Sequence, residues 1–252
     1  MSTSLKKRLG RLRSKVRRGW KGNRGDRAQS TLAAYDSWAE DYDSDTAANM
    51  AILLEGDRLA ELMALQPGQL VLDAGCGTGR HVALLKDHCT VVGIDFSEPM
   101  LAVAARKHPD VEFMRADLTQ TLPFEDHTFD MVLSSLVLSH IKDIAVPLAE
   151  FARVTKEDGR IFVIDFVRHP TLDWDDLEYQ DQPVYPLDFI ATSRTHTIEK
   201  YLDLSSRVGL NLDRIIPLRL GEKAASILSP QSYERYRGTW GSVVYIFEPA
   251  AS

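Results

Sequence analysis

The chain has 252 residues, 44% of them hydrophobic, and a formal net charge of -6. That length suffices to bury one large core, while two cysteines, Cys76 and Cys89, exclude a disulfide scaffold and a four-cysteine zinc site. No apolar run reaches the roughly 18 residues of a membrane span, and the first residues lack the apolar block of a secretory leader, so a cytoplasmic protein is expected.

The charge is unevenly spread. Residues 1–27 hold eleven Lys and Arg against one acid, Asp26, a net of +10, which leaves -16 on the remainder. The expected organisation is therefore a basic arm over 1–27 and an acidic domain over 28–252. Within the arm Leu5, Leu9, Leu12, Val16 and Trp20 recur at helical spacing, with basic residues around the rest. Such a face suits docking on an anionic membrane surface, on nucleic acid, or on the acidic domain itself. Gly10 and Gly19 interrupt it, and its arginine-rich, acid-poor composition is also that of a mitochondrial transit peptide.

An amphipathic helix is expected over 30–45, with Ser30 or Thr31 as its cap. A second helical pattern covers 48–65. From there apolar runs at 69–74, 90–95, 111–117, 129–135 and 160–166 read as strands. Helical patterns lie between them over 80–88, 97–108 and 143–158, with Ser97 as a cap and Gly159 as a helix stop. Residues 167–196 break the rhythm with three prolines and many aromatics, and read as a cover over a site. A helix at 197–210 and strands at 212–220 and 242–248 follow. Strands alternating with helices predict a doubly wound, mostly parallel, seven-stranded α/β sheet, Rossmann-like, with helices on both faces.

In such sheets ligands bind beyond the carboxyl ends of the strands, where strand order reverses. The first strand leads into "VLDAGCGTGRH" at 71–81, where glycines let a ligand approach the backbone. A dinucleotide site needs G-x-G-x-x-G. Here Gly75, Gly77 and Gly79 make G-x-G-x-G, and Arg80 stands at the third glycine position. Asp73 precedes the turn, where a carboxylate repels a pyrophosphate and suits an ammonium or a sulfonium. Asp95 ends the second strand, placed to accept from a ribose diol. Asp117 ends the third, placed to accept from an adenine amino group. Phe96, Met100 and Leu118 are apolar neighbours able to sandwich a base.

These stretches resemble the class I S-adenosylmethionine-dependent methyltransferases. The resemblance rests on "VLDAGCGTGRH", "VVGIDFS", "RADL", "FDMVLSSLVLSHI", "VTKEDGRIFVIDF" and the N-terminal "AAYDSWAEDYD". It is clear over about 30–166 and looser over 195–248. It departs from the family at Glu157-Asp158, where proline-glycine is usual. The resemblance implies that Gly75, Gly77 and Gly79 line the methionine part of the cofactor, with Asp73 near its ammonium. Asp95 would hold the ribose, and Phe96, Met100, Asp117 and Leu118 would frame the adenine. The backbone at Ser134 would meet the amino group, and Tyr42 would close the cofactor from the N-terminal helix.

Methyl transfer from a sulfonium needs position, orientation and a dry pocket, and a base only for a protonated nucleophile. His140, after the fourth strand, is the candidate base. Tyr35 is a candidate substrate contact, as are Arg168, His169, Trp174, Tyr179, Tyr185, Arg194 and His196 in the cover. The histidine spacing makes no metal site. The expected function is methyl transfer to a small-molecule acceptor at oxygen, nitrogen or carbon. Alternatives are a quinone-ring carbon methyltransferase at a membrane surface, an RNA methyltransferase guided by the arm, and a binding protein that has lost catalysis.

Overall fold

The computed structural model describes residues 26–43, 58–166, 196–220, 222–226 and 228–250. The apolar runs form strands β1 (Leu70–Ala74), β2 (Thr90–Asp95), β3 (Glu112–Arg115), β4 (Phe129–Ser135), β5 (Thr155–Phe166), β6 (Leu210–Arg219) and β7 (Trp240–Pro249). They lie in one sheet in the order β3-β2-β1-β4-β5-β7-β6. β1 to β5 run parallel, and β7 is antiparallel to both β5 and β6. The chain winds outward from β1 to β3 and then returns to β4, so strand order reverses between β1 and β4. That reversal opens the crevice in which doubly wound sheets bind ligands.

The helices are α1 (Asp26–Trp38), α2 (Arg58–Met63), α3 (Val82–Leu85), α4 (Glu98–Lys107), α5 (Ala145–Val154), α6 (Ile198–Arg207) and α7 (Pro230–Tyr236). The period-2 alternation of the strands sorts their residues onto two cores. Leu72, Val132, Val163 and Tyr245 pack on one face with Phe151 of α5 and Tyr201 of α6. Val71, Leu133, Phe162 and Ile246 pack on the other with Met63 of α2 and Leu85 of α3. Pro217 lies in β6, an edge strand, where a missing N–H costs the sheet little.

Several boundaries differ from the sequence expectation. Ser30 and Thr31 lie inside α1 rather than capping it. The helix expected over 80–88 is Val82–Leu85, and the strand over 111–117 is Glu112–Arg115, which leaves Asp117 beyond its end. α5 ends at Val154, and residues 155–159 belong to β5. Gly159 is thus no helix stop. It sits where the β4–β5 register shifts between Phe129 and Met131, and a Cβ there would come within 2.7 Å of the Asp130 carbonyl oxygen. The glycine is required by close backbone approach. α7, capped by Ser229 with Pro230 in its first turn, occupies a stretch that sequence periodicity left unassigned. Residues 1–25 of the basic arm, most of the pattern at 48–65 and most of the cover lie outside the described residues.

Candidate functional site

The glycine turn leaves β1 with Gly75, Gly77 and Gly79 all at positive φ, 82°, 53° and 77°. The amides of Gly75 and Cys76 both donate to the Ile94 carbonyl, at 2.8 and 2.9 Å, and so tie the turn to β2. Two of the glycines answer to different needs. A Cβ at Gly75 would lie 2.3 Å from Val137 Cγ2, whereas a Cβ at Gly77 would meet nothing within 4 Å. Gly75 is therefore closed by packing, and Gly77 borders open space.

The Gly77 amide donates to Asp95 Oδ2 at 2.9 Å. Asp95 Oδ1 accepts from the Ser97 amide, also at 2.9 Å. Burial pushes the Asp95 pKa up to about 6, against the pull of the amides of Ser97 and Gly77, and the nearby Asp36 charge raises it further. Each oxygen bonded to one amide keeps capacity for another donor. Ser97 caps α4 by accepting from the Met100 amide at 3.3 Å, and its hydroxyl donates to Asp36 of α1 at 2.6 Å. Past the end of α1, Asp43 accepts from Thr78 of the glycine turn at 2.7 Å and pairs with Lys107 at 2.8 Å. Glu40 pairs with Arg106 at 2.6 Å. These last two ion pairs are solvated and add little energy, but they hold the end of α1 against α4.

α1 brings an aromatic wall to the crevice. The Tyr35 ring lies 6.1 Å from Phe96, 6.2 Å from Tyr42 and 5.6 Å edge-on from His140. Tyr35 Oη is 3.0 Å from His140 Nε2. Burial lowers the His140 pKa to about 4 and raises that of Tyr35, so both are neutral at pH 7. With the phenol donating to Nε2, the imidazole proton sits on Nδ1. His140 itself ends a 3₁₀ turn, Leu138–His140, that follows β4. Between strand and turn, Leu136 adopts φ 57°, a left-handed conformation that costs a non-glycine residue about 1–2 kcal/mol. Such strain gathers at functional sites.

The other expected site residues fall as follows. Asp73 is buried in β1, opposite Gly93 of β2 and Leu133 of β4. The β1–β4 ladder ends at that Leu133, one residue before the buried Ser134. Asp117 is half-buried, and its Oδ1 accepts from the Thr119 amide at 2.9 Å and hydroxyl at 2.7 Å. Met100 is packed with Ala39 and Val103 beneath Tyr35 and Tyr42, and Leu118 belongs to the main core. Phe96 and Tyr42 stay half-buried. His196 does not stand open to a substrate; it is buried, with Nε2 near the carbonyls of Leu138 and Ile141. The remaining cover candidates, Arg168 to Arg194, lie outside the described residues. Sequence reasoning missed Asp165, a buried acid near the end of β5 that accepts from the Tyr201 hydroxyl at 2.5 Å. Its signal was available: "VIDF" places an acid near a strand end as "GIDF" does.

Comparisons with known proteins bear on the family and the fold. A family described as "Methyltransferase domain" matches residues 72–163. The chain is 33% identical over 185 residues to a demethylmenaquinone methyltransferase of Renibacterium salmoninarum, covering 72% of this chain and 77% of that one. It is 39% identical over 142 residues to the demethylmenaquinone methyltransferase of Beutenbergia cavernae, covering 54% and 58%. It is 32% identical over 134 residues to a malonyl-[acyl-carrier protein] O-methyltransferase of Serratia marcescens, covering 53% and 51%. Among solved structures, an S-adenosylmethionine-dependent methyltransferase from Mesorhizobium loti matches with a TM-score of 0.59 at 21% identity, over 78% of this chain and all of that one. A complex of a methyltransferase with its Trm112 activator from Haloferax volcanii matches with a TM-score of 0.69 at 20% identity, over 86% and 98%. At those identities the structural likeness concerns the fold alone.

Proposed function

Because the chain belongs to the class I S-adenosylmethionine-dependent methyltransferases, we propose that it methylates a flat, quinol-like small molecule held between the glycine turn and the Tyr35–His140 wall. The observation that carries the acceptor is the Renibacterium salmoninarum relative, whose name gives demethylmenaquinone as its substrate. Its match spans 185 residues, about twice the stretch of the domain match at 72–163. The Tyr35 ring, set edge-on to His140, supports a planar acceptor.

The residues present fit the cofactor. Open space at Gly77 lies beside a buried carboxylate, Asp95, that can still accept hydroxyl donors. Asp95 would hold the ribose, Asp73 would lie toward the ammonium, and the backbone at Ser134 would meet the amino group. Phe96, Asp117, Met100 and Leu118 would frame the adenine, Phe96 by its ring and the two buried side chains from beneath. Tyr42 would close the site from α1. S-adenosylmethionine supplies a methyl group on a positively charged sulfur, which leaves with the bonding electron pair.

The chain's own contribution is placement and dryness. Tyr35 and His140 are half-buried in the free protein, and a bound acceptor would complete the exclusion of water. His140 is the proposed acceptor of the nucleophile's proton by way of Tyr35: the phenol takes that proton as it passes its own to Nε2. At a pKa of about 4 the imidazole is neutral at physiological pH and only weakly basic, so it acts as the carbon–methyl bond forms and the acceptor's acidity rises, not before.

The eleven basic residues of the arm, with their apolar stripe, support delivery of a lipid-soluble acceptor at an anionic membrane surface. Among the described residues no helix is long and apolar enough to cross a membrane. The test is label transfer from methyl-labelled S-adenosylmethionine by the full chain. Reduced demethylmenaquinone in anionic vesicles, malonyl-acyl-carrier protein and total tRNA are offered separately. Label in the lipid extract, matched by released S-adenosylhomocysteine, is expected. Label in the tRNA or the carrier protein alone overturns the quinol reading.

A further inference from the structure

The 3₁₀ turn that carries His140 is fastened from beneath by side chains that share no element with it. Nε2 of His196 lies 3.1 Å from the Leu138 carbonyl and 2.9 Å from the Ile141 carbonyl, the geometry of one N–H shared by two acceptors. With Nε2 protonated, Nδ1 is left to accept, and Lys200 Nζ lies 3.0 Å from it. Lys200 also donates to the Lys142 carbonyl at 3.2 Å. Asp165 completes the arrangement. Its Oδ2 accepts from Tyr201 at 2.5 Å and its Oδ1 from the Phe166 amide at 2.9 Å, and the Tyr201 ring meets the His196 ring edge-on, with centroids 6.1 Å apart. Asp165, Tyr201 and Ser139 are fully buried. His196 and Asp165 are far apart in sequence, yet Tyr201 links them: Asp165 holds its hydroxyl, and its ring packs on the His196 that binds the Leu138 and Ile141 carbonyls.

We infer that Asp165, Tyr201 and His196 form a clamp that positions His140 for methyl transfer without touching the reacting atoms. A turn of three residues has few backbone bonds of its own, so its carbonyls and amides must be bound from outside to hold one conformation. The upper side of the same residue meets Tyr35. The His140 ring is thus set between a phenol above and a polar clamp below, as preorganised sites require. The clamp rests on the proposed role of His140 at the acceptor, but its existence can be read without any acceptor.

That separation decides the experiment. Histidine ring resonances of the full chain are followed through a pH titration in wild type, Asp165→Asn, Tyr201→Phe, His196→Ala and His196→Gln. The groups facing the clamp are Tyr245 from β7, with Glu199 and Lys200 from α6, and none is altered. Asp165→Asn resembles the protonated acid that burial favours, since the Asp165 pKa stands near 7, and Tyr201→Phe keeps the stacked ring; both variants should therefore fold. In wild type His140 should titrate near 4. A loosened turn admits water, so Tyr201→Phe and His196→Ala should each raise that value by about one unit or more toward the ordinary histidine value, whereas Asp165→Asn, which matches an acid already protonated at that pH, should leave it in place. His196→Gln, whose amide can still donate to both carbonyls, should restore it. With an acceptor, kcat should fall at least about tenfold in the loosened variants while cofactor affinity holds. An unchanged His140 titration in folded Tyr201→Phe and His196→Ala proteins overturns the clamp, whatever the activity shows. A shifted titration with unchanged kcat leaves the clamp standing but removes its catalytic role, which likewise overturns the inference.

Discussion

Replacing Asp95 with asparagine isolates one charge at the centre of the cofactor site. In the wild type each carboxylate oxygen accepts one backbone amide, from Gly77 and from Ser97. Asparagine keeps the shape but offers one acceptor oxygen, so one of those amides faces an NH2 group and loses its bond, at about 1 kcal/mol. Against that, the free wild-type protein holds an ionised carboxylate that burial disfavours. Its pKa rises from 3.8 to about 6, a cost on the order of 3 kcal/mol at neutral pH that the amide removes. The fold should therefore lose little stability and could gain some. Cofactor binding should weaken by about 1–3 kcal/mol, because the ribose hydroxyls lose a charged acceptor. The pH dependence gives a second reading of the same charge. Asp95 must be ionised to accept both hydroxyls, and binding them stabilises the ionised form. Wild-type affinity should therefore be flat above about pH 6 and fall by about tenfold per unit below it. The Asp95→Asn affinity should be flat through that window. Titration calorimetry between about pH 5 and 7 measures both proteins. Equal affinities at pH 7, or a wild-type affinity that does not change down to pH 5, would refute the placement of Asp95 on the ribose.

Two further predictions concern the reaction and the turn. His140→Ala should lower turnover by about a hundredfold or more with cofactor affinity near normal, and the wild-type pH–rate limb it removes should lie near 4 rather than near neutrality; stopped assays across pH with a supplied quinol decide this, and wild-type turnover in the mutant would leave placement and desolvation as the main terms. Gly75→Ala should abolish cofactor binding, since its φ is 82° and its new Cβ would press on Val137 Cγ2 at 2.3 Å, while a Val137→Ala partner should recover part of the loss by relieving the contact but not the strain; a double mutant no better than the single would show that backbone strain alone is at issue.

The architecture was legible in the chain because it rests on local periodicities. Alternating apolar runs and helical patterns specify a doubly wound sheet whatever the details of packing, and the glycines at 75, 77 and 79 mark the turn that only positive φ can form. The acid ending the second strand could be placed by counting, and Asp95 stands there. Boundaries were less legible where tertiary contact overrides propensity: residues 155–159 read as the end of a helix, and β4 draws them into β5, with Thr155 opposite Phe129 and Arg160 opposite Met131. His196 read as a candidate substrate contact because sequence carries no record of what lies above a residue, and only folding set it beneath Leu138 and Ile141. The charge of Asp95, the neutrality of His140 and the bond between Tyr35 and His140 likewise depend on burial and on partners distant in sequence. Local spacing determines which elements form and which residues stand at their ends; dielectric and hydrogen-bond geometry, which set the chemistry of those residues, arise only when distant segments pack together.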